Sequence, residues 1–229
     1  VTLRFQPTPP PEATPADKPA TTRVVLADDH TIVRQGLRVL LEARGLAVVG
    51  EASDGRQAVQ LVRERSPDVA VLDLFMPVMN GLEAAQEIHQ CCPKTRTIVL
   101  TANPDDANVL KALRAGVRGC LEKTHSAQEL LRAIEEVLRG GVYLSPSVSR
   151  AVVDAYRSGS EQPADPLTQR ERQILQLMAE GKRTKEIADM LCISVRTVET
   201  HRGHIMEKLN IFEVAGLVRY AIRHGMTSL

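Results

Sequence analysis

The sequence has no tryptophan, and only three phenylalanines and three tyrosines in 229 residues. Any core must therefore be aliphatic, built from Leu, Val, Ile and Ala. No apolar run approaches the ~20 residues that a membrane helix needs, so no membrane partner is expected. The first 22 residues lack the apolar segment of a secretory signal. Cysteine is sparse: Cys91, Cys92, Cys120 and Cys192 have no metal-ligand spacing, and nothing marks export. Free thiols in a reducing cytoplasm are expected. An excess of either charge is also missing. The net charge of +1 excludes a blanket polyanion binder, so charge must be read by region.

What is present divides the chain. Residues 1–22 are rich in Pro, Thr, Ala and Asp and are expected to be a disordered extension. Apolar runs then alternate with amphipathic stretches of helical period: "RVVLA", "AVVGEA", "DVAVLDL", "TIVLTA" and "VRGCLEK" alternate with five helical segments. Near-continuous apolar strands separated by helices predict a parallel sheet covered on both faces. The alternation stops near Gly141, and residues 141–166 read as a linker with room for one short helix. From Leu167 the pattern is helical throughout. Thr168 with Glu171 three residues on forms a capping-box signature, and Ser194 is placed to cap a long helix.

The strand ends carry the chemistry. Ligands of open parallel sheets bind at the carboxyl ends of the strands. There the first strand offers Asp28 and Asp29, the third Asp73, the fourth Thr101 and the fifth Lys123. One aspartate at a strand end ordinarily caps a helix or a turn. Five such groups on four strand ends form a constellation. Three neighbouring carboxylates do not all ionise without a cation among them. An all-oxygen, open site favours Mg²⁺ with a phosphate oxygen as a further ligand. Lys123 then acts as a point charge on that phosphate, and a carboxylate facing both can become an aspartyl phosphate.

With these residues in place, "LADDH", "DLFMPVMNGLEA", Thr101-Ala102 and Glu122-Lys123 resemble the receiver domain of bacterial two-component response regulators, over about Arg23 to Gly140. The resemblance implies a flavodoxin-like α/β fold, five parallel strands in the order 2-1-3-4-5, for residues 23–140. It implies Asp73 as phosphoacceptor. Asp29 and Asp73 would bind Mg²⁺ directly, Asp28 would act through water, and the backbone carbonyl of Phe75 would add a ligand. Thr101 would hydrogen-bond the phosphoryl group and Lys123 would pair with it. The chain departs from the family at Cys120, where an aromatic switch residue is usual, so no aromatic switch carries over.

Residues 167–229 hold ten basic and seven acidic side chains, a charge of +3. "TKEIADMLCISVRTVETHRGHI" has the form of a helix-turn-helix, with Ile187, Ala188, Leu191, Ile193, Val198, Ile205 and Leu209 as its core. Lys185, Arg196 and Thr197 suit phosphate contacts, which position a helix without reading sequence. The whole stretch from Leu167 to Asn210 resembles the LuxR-type DNA-binding domain, an all-α unit of four helices. Together the halves resemble a NarL/FixJ-subfamily response regulator. By that resemblance Ser194, Glu199, Thr200, Arg202 and Gly203 join the DNA-contacting set. Glu199 is equally open to an intrahelical pair with Arg196 or Arg202. Asn210 replaces a usual glycine, and asparagine tolerates a left-handed helix end. His201 and His204 stand three apart, a spacing open to metal but more common for packing residues. Cys192, before the turn, is expected to be buried.

The implied function is a transcription factor that a sensor histidine kinase phosphorylates at Asp73, and that binds promoter DNA as a homodimer. It accepts a phosphoryl group without being a turnover enzyme. A DNA-binding regulator that ignores phosphate is the alternative, which the intact acidic set argues against and Cys120 favours weakly. A phosphohydrolase would need a second Asp two residues after the nucleophile, where Phe75 stands.

Overall fold

A computed structural model describes residues 21–102, 106–123, 127–157, 166–224 and 226–227. Residues 1–20 of the N-terminal extension and 158–165 of the linker lie outside the described residues. The first unit alternates strand and helix: β1 (Arg23–Ala27), α1 (Thr31–Glu42), β2 (Ala47–Ala52), α2 (Gly55–Arg65), β3 (Val69–Asp73), α3 (Gly81–Cys91), β4 (Arg96–Thr101), α4 (Asp106–Arg114), β5 (Gly119–Glu122) and α5 (Ala127–Leu138). Period-two alternation sorts the strands into two cores. Val25, Ala27, Ala70 and Leu72 face α2 and α3, where Ala58, Val62, Ala84 and Ile88 are buried. Val24, Leu26, Val69 and Val71 face the other way, with Leu41 of α1 and Ala133, Ile134 and Val137 of α5. Burial on both faces explains the nearly unbroken apolar strands.

The sheet is parallel, ordered β2-β1-β3-β4-β5-β6. The expected order holds, but the count of five does not: β6 (Tyr143–Leu144) pairs in parallel with β5. Two residues are too few to show a period, so the strand leaves no pattern in sequence. Its partner makes it possible. Ser145 N donates to Cys120 O at 3.1 Å, and α6 (Pro146–Arg157) then folds back. Val148 of α6 packs against Val109 and Cys120 in a small core. The short linker helix is thus a lid on the α4–β5 face, and the small Cys120 side chain lies beneath it.

The second unit is α7 (Gln169–Ala179), α8 (Thr184–Met190), α9 (Val195–Leu209) and α10 (Val214–Arg223). Its ends form where the sequence signals them. Thr168 and Glu171 close a reciprocal capping box on α7, replacing two orphan N–H partners. Ser194 Oγ accepts from Thr197 N at 3.0 Å on α9, and Asn210 ends that helix at φ 52. Ile187, Ala188, Leu191, Val198 and Ile205 are buried, with Ile193 and Leu209 packed against them. Cys192, in contrast, is exposed. Its φ of 52 in the α8–α9 turn is left-handed, so the chain reverses there and no core lies over the thiol.

Candidate functional site

The acidic crevice lies where β1 and β3 end side by side. Asp28 and Asp73 are each 2% exposed. Lys123, one residue past β5, brings Nζ to 2.8 Å from Asp28 Oδ2 and 2.9 Å from Asp73 Oδ2. The contact with Asp28 Oδ2 is an ion pair by distance without an aligned hydrogen bond. The backbone holds the lysine in place: Lys123 N donates to Thr101 O at 2.7 Å. Thr101 is buried at the end of β4. The five groups expected to converge are therefore on one edge of the sheet, although Asp29 stands exposed at its rim.

Sequence reasoning passed over His30. It occupies the N-cap position of α1, its N donates to Asp28 Oδ1 at 2.8 Å, and its Nδ1 lies 2.8 Å from Asp29 Oδ1. The signal was present in "DDH", since a polar residue just before a helix faces the same loop as the pair before it.

Burial works against the charge on Asp73. Burial raises its pKa most, Lys123 pulls it down, Asp28 pushes it up and the Phe75 N–H hydrogen bond lowers it, for a net rise from 3.8 to about 6. Lys123 loses charge stability to burial, but its close contacts with the Asp28 and Asp73 carboxylates outweigh this and raise its pKa. Three carboxylates and one ammonium leave negative charge to neutralise. Asp28, Asp29, His30 and Asp73 each offer a ligand atom within 4.8 Å of the others, an oxygen-rich donor set that fits a small hard divalent cation. The fit extends to Asp28 Oδ2, a buried oxygen without an aligned donor.

The loop after Asp73 is held tightly. Gly81 passes so close to the chain that a Cβ there would run into the Asp73 carbonyl. Val78 adopts φ 68, a strained conformation for a β-branched residue. The second unit rests on this loop. Gln176 of α7, fully buried, donates through Nε2 to Met76 O at 2.8 Å and accepts from Asn80 Nδ2 at 3.3 Å. Val78 N donates to Glu180 Oε2 at 3.4 Å, and Arg172 Nε lies 3.5 Å from Glu83 Oε1. In sequence these are ordinary polar residues on amphipathic helices, and nothing in their spacing shows that they meet.

The residues expected to contact DNA are arranged differently. Lys185 on α8 and Arg196, Glu199 and Thr200 on α9 are exposed, while Arg202 and Gly203 are half-buried. Ser194 Oγ and Thr197 Oγ1 share a hydrogen bond of 2.8 Å. Thr200 Oγ1 donates to Arg196 O at 3.0 Å. Among the described residues, Glu199 makes no ion pair with Arg196 or Arg202. The docking contacts come from α7, so these α9 side chains stay accessible.

Comparison with known proteins agrees with both halves. The family "Response regulator receiver domain" matches residues 24–135, and "Bacterial regulatory proteins, luxR family" matches 165–221. The transcriptional regulatory protein LiaR of Bacillus subtilis is 40% identical over 209 residues, covering 90% of this chain and 99% of the relative. The oxygen regulatory protein NreC of Staphylococcus carnosus is 38% identical over 210 residues, covering 88% and 97%. Among solved structures, an RcsB response regulator–DNA complex aligns with TM-score 0.56 at 28% identity, over 87% of this chain and 97% of that one. The described helices include none long and apolar enough to cross a membrane. The chain belongs to the two-component response regulators of NarL/FixJ type, a receiver domain joined to a LuxR-type DNA-binding domain.

Proposed function

We propose that a sensor histidine kinase phosphorylates this protein at Asp73, and that phosphorylation controls its binding to promoter DNA as a homodimer in the cytoplasm. The receiver spans 23–140, the segment 141–166 packs β6 and α6 onto it before leading on, and the DNA-binding domain spans 167–229, with 1–22 as an extension. One observation carries the reading: a buried carboxylate at the end of β3 lies within ion-pair reach of Lys123 and beside two more carboxylates. An oxygen of Asp73 attacks phosphorus, the bond from phosphorus to the donor breaks, and the leaving group takes a proton. Asp29, Asp73 and the Phe75 carbonyl would hold Mg²⁺, with Asp28 acting through water, and the ion would supply neutralising charge. Thr101 and Lys123 hold the phosphoryl oxygens. Phe75 offers no acid for rapid hydrolysis, which fits a switch and not a turnover enzyme.

The docking of α7 supports a route for the signal. Phosphorylation places new charge beside a loop whose Met76, Val78 and Asn80 contact Gln176 and Glu180. A change there biases docking, as a two-state element requires. Because α9 stays accessible when docked, control would act on how two DNA-binding domains are spaced and not on covering the recognition helix. Ile32, 85% exposed on α1 beside the crevice, offers apolar surface to the kinase or to a second copy. On DNA, Lys185, Ser194, Arg196 and Thr197 would position the helix at phosphates, while Glu199, Thr200, Arg202 and Gly203 would face the major groove. RcsB dimers are known bound to DNA.

The test is the oligomeric state and operator-length DNA affinity of wild type and Asp73→Ala, each with Mg²⁺ and a small-molecule phosphodonor. Wild type should dimerise and bind more tightly, and Asp73→Ala should not respond. Equal binding by both, indifferent to the donor, would leave the receiver as a scaffold.

A further inference from the structure

Where α7 crosses α9, Glu171, His201 and His204 each present a ligand atom within 4.8 Å of the other two. The i, i+3 spacing puts both histidines on one face of α9. Their rings meet edge-on, at 88° and 6.5 Å between centroids. Two details separate this cluster from chance surface proximity. His201 Nδ1 is buried without a hydrogen-bond partner, a state that costs about 1–3 kcal/mol unless something fills it. The Glu171 carboxylate is buried yet asymmetric in its contacts. Thr168 N, Thr168 Oγ1 and Lys208 Nζ all bond to Oε2, at 2.8, 2.9 and 2.6 Å. Among the described residues, none donates to Oε1. Burial resists its charge, but Lys208 and Thr168 outweigh this and hold the pKa below the usual carboxylate range, so the ligand is ionised.

We propose that Glu171, His201 and His204 bind a borderline transition cation of the zinc class, with an open fourth position for water, and so clip α7 to α9. Two imidazoles and one carboxylate suit such a metal far better than Mg²⁺ or Ca²⁺. Bonds of about 2.1 Å in a tetrahedron place ligand atoms about 3.4 Å apart. The site must close slightly, and His204 is exposed and free to swing inward. Glu171 would give Oε1 to the metal while Oε2 keeps the cap. The clip joins the helix that docks on the receiver to the helix that carries Arg196 and Glu199. Occupancy would therefore act on the DNA-binding unit independently of Asp73.

The experiment titrates Co²⁺ into metal-stripped full-length protein in excess Mg²⁺, which fills the acidic crevice, and follows the visible d–d absorption. Zn²⁺ is then measured by displacement. Wild type and Asp73→Asn should each bind one Co²⁺ with nitrogen–oxygen coordination and no thiolate charge-transfer band. His204→Gln, at an exposed position outside the core, should keep its circular dichroism but weaken binding at least about tenfold. The idea is overturned if wild type binds no Co²⁺, if His204→Gln binds it as wild type does, or if Asp73→Asn loses it.

Discussion

The acidic crevice and α9 both carry charged and polar side chains, but they hold them in opposite ways. In the crevice, Asp28 and Asp73 are taken out of water and share the Lys123 ammonium. On α9, Arg196 and Glu199 remain in solvent, and the hydroxyls of Thr197 and Thr200 are satisfied within their own helix. A buried charge interacts strongly with few neighbours, so its chemistry is visible in the free protein. An exposed charge is screened and uncommitted, and is free to take a partner from outside the protein. Perturbing the crevice should therefore change stability without any ligand, whereas perturbing α9 should show mainly on DNA.

The largest expected effect tests the crevice side of this contrast. Asp73 has its pKa raised to about 6 by burial, so the folded chain holds that proton more tightly than the unfolded chain. The associated stability is complete below the ordinary carboxylate value and is lost as pH rises through about 6. Asparagine mimics the neutral form. Without Mg²⁺ at neutral pH, Asp73→Asn should be more stable than wild type by about 2–3 kcal/mol. The gain should vanish in acid and shrink when Mg²⁺ is added. Urea melts of the receiver across pH would measure it, and a gap independent of pH would show that desolvation is not what strains the site.

A middle-sized effect lies between the two regions. Removing the Gln176 amide leaves Met76 O and Asn80 without their partner across the docking surface, at a cost of about 1–2 kcal/mol. Gln176→Ala should loosen docking and raise the DNA affinity of unphosphorylated protein about tenfold, read by fluorescence anisotropy. Unchanged affinity would mean that the contact does not hold the inactive state.

How much of this was legible follows the same division. The strand ends were readable because β-branched runs stop at Asp28, Asp73 and Thr101, and a parallel sheet brings such ends together. Thr168, Ser194 and Asn210 were readable because caps are local chemistry. β6 was not, because a two-residue strand has no period. Docking was not, because Gln176, Glu83 and Asn80 meet only through tertiary approach. Cys192 was misplaced because its turn, and not its hydrophobicity, decides where the thiol points. The Cys120 departure was visible, but its consequence needed the structure: Val148 of the linker helix lies against it.

The smallest expected effect bears on α9 itself. Gly203 sits in mid-helix with right-handed backbone, and nothing lies within 4 Å of where a Cβ would be. No contact inside the protein therefore requires glycine. Gly203→Ala should stabilise the DNA-binding domain by about 1 kcal/mol, seen as a rise in melting temperature. If α9 seats its backbone against the groove floor, the same methyl meets DNA, and operator affinity should fall while stability rises. Opposite signs in the two measurements are the expected result, since only the bound state places anything at that position. A stability gain with unchanged affinity would move Gly203 off the DNA face and leave Glu199 and Thr200, one helical turn earlier, as the groove contacts.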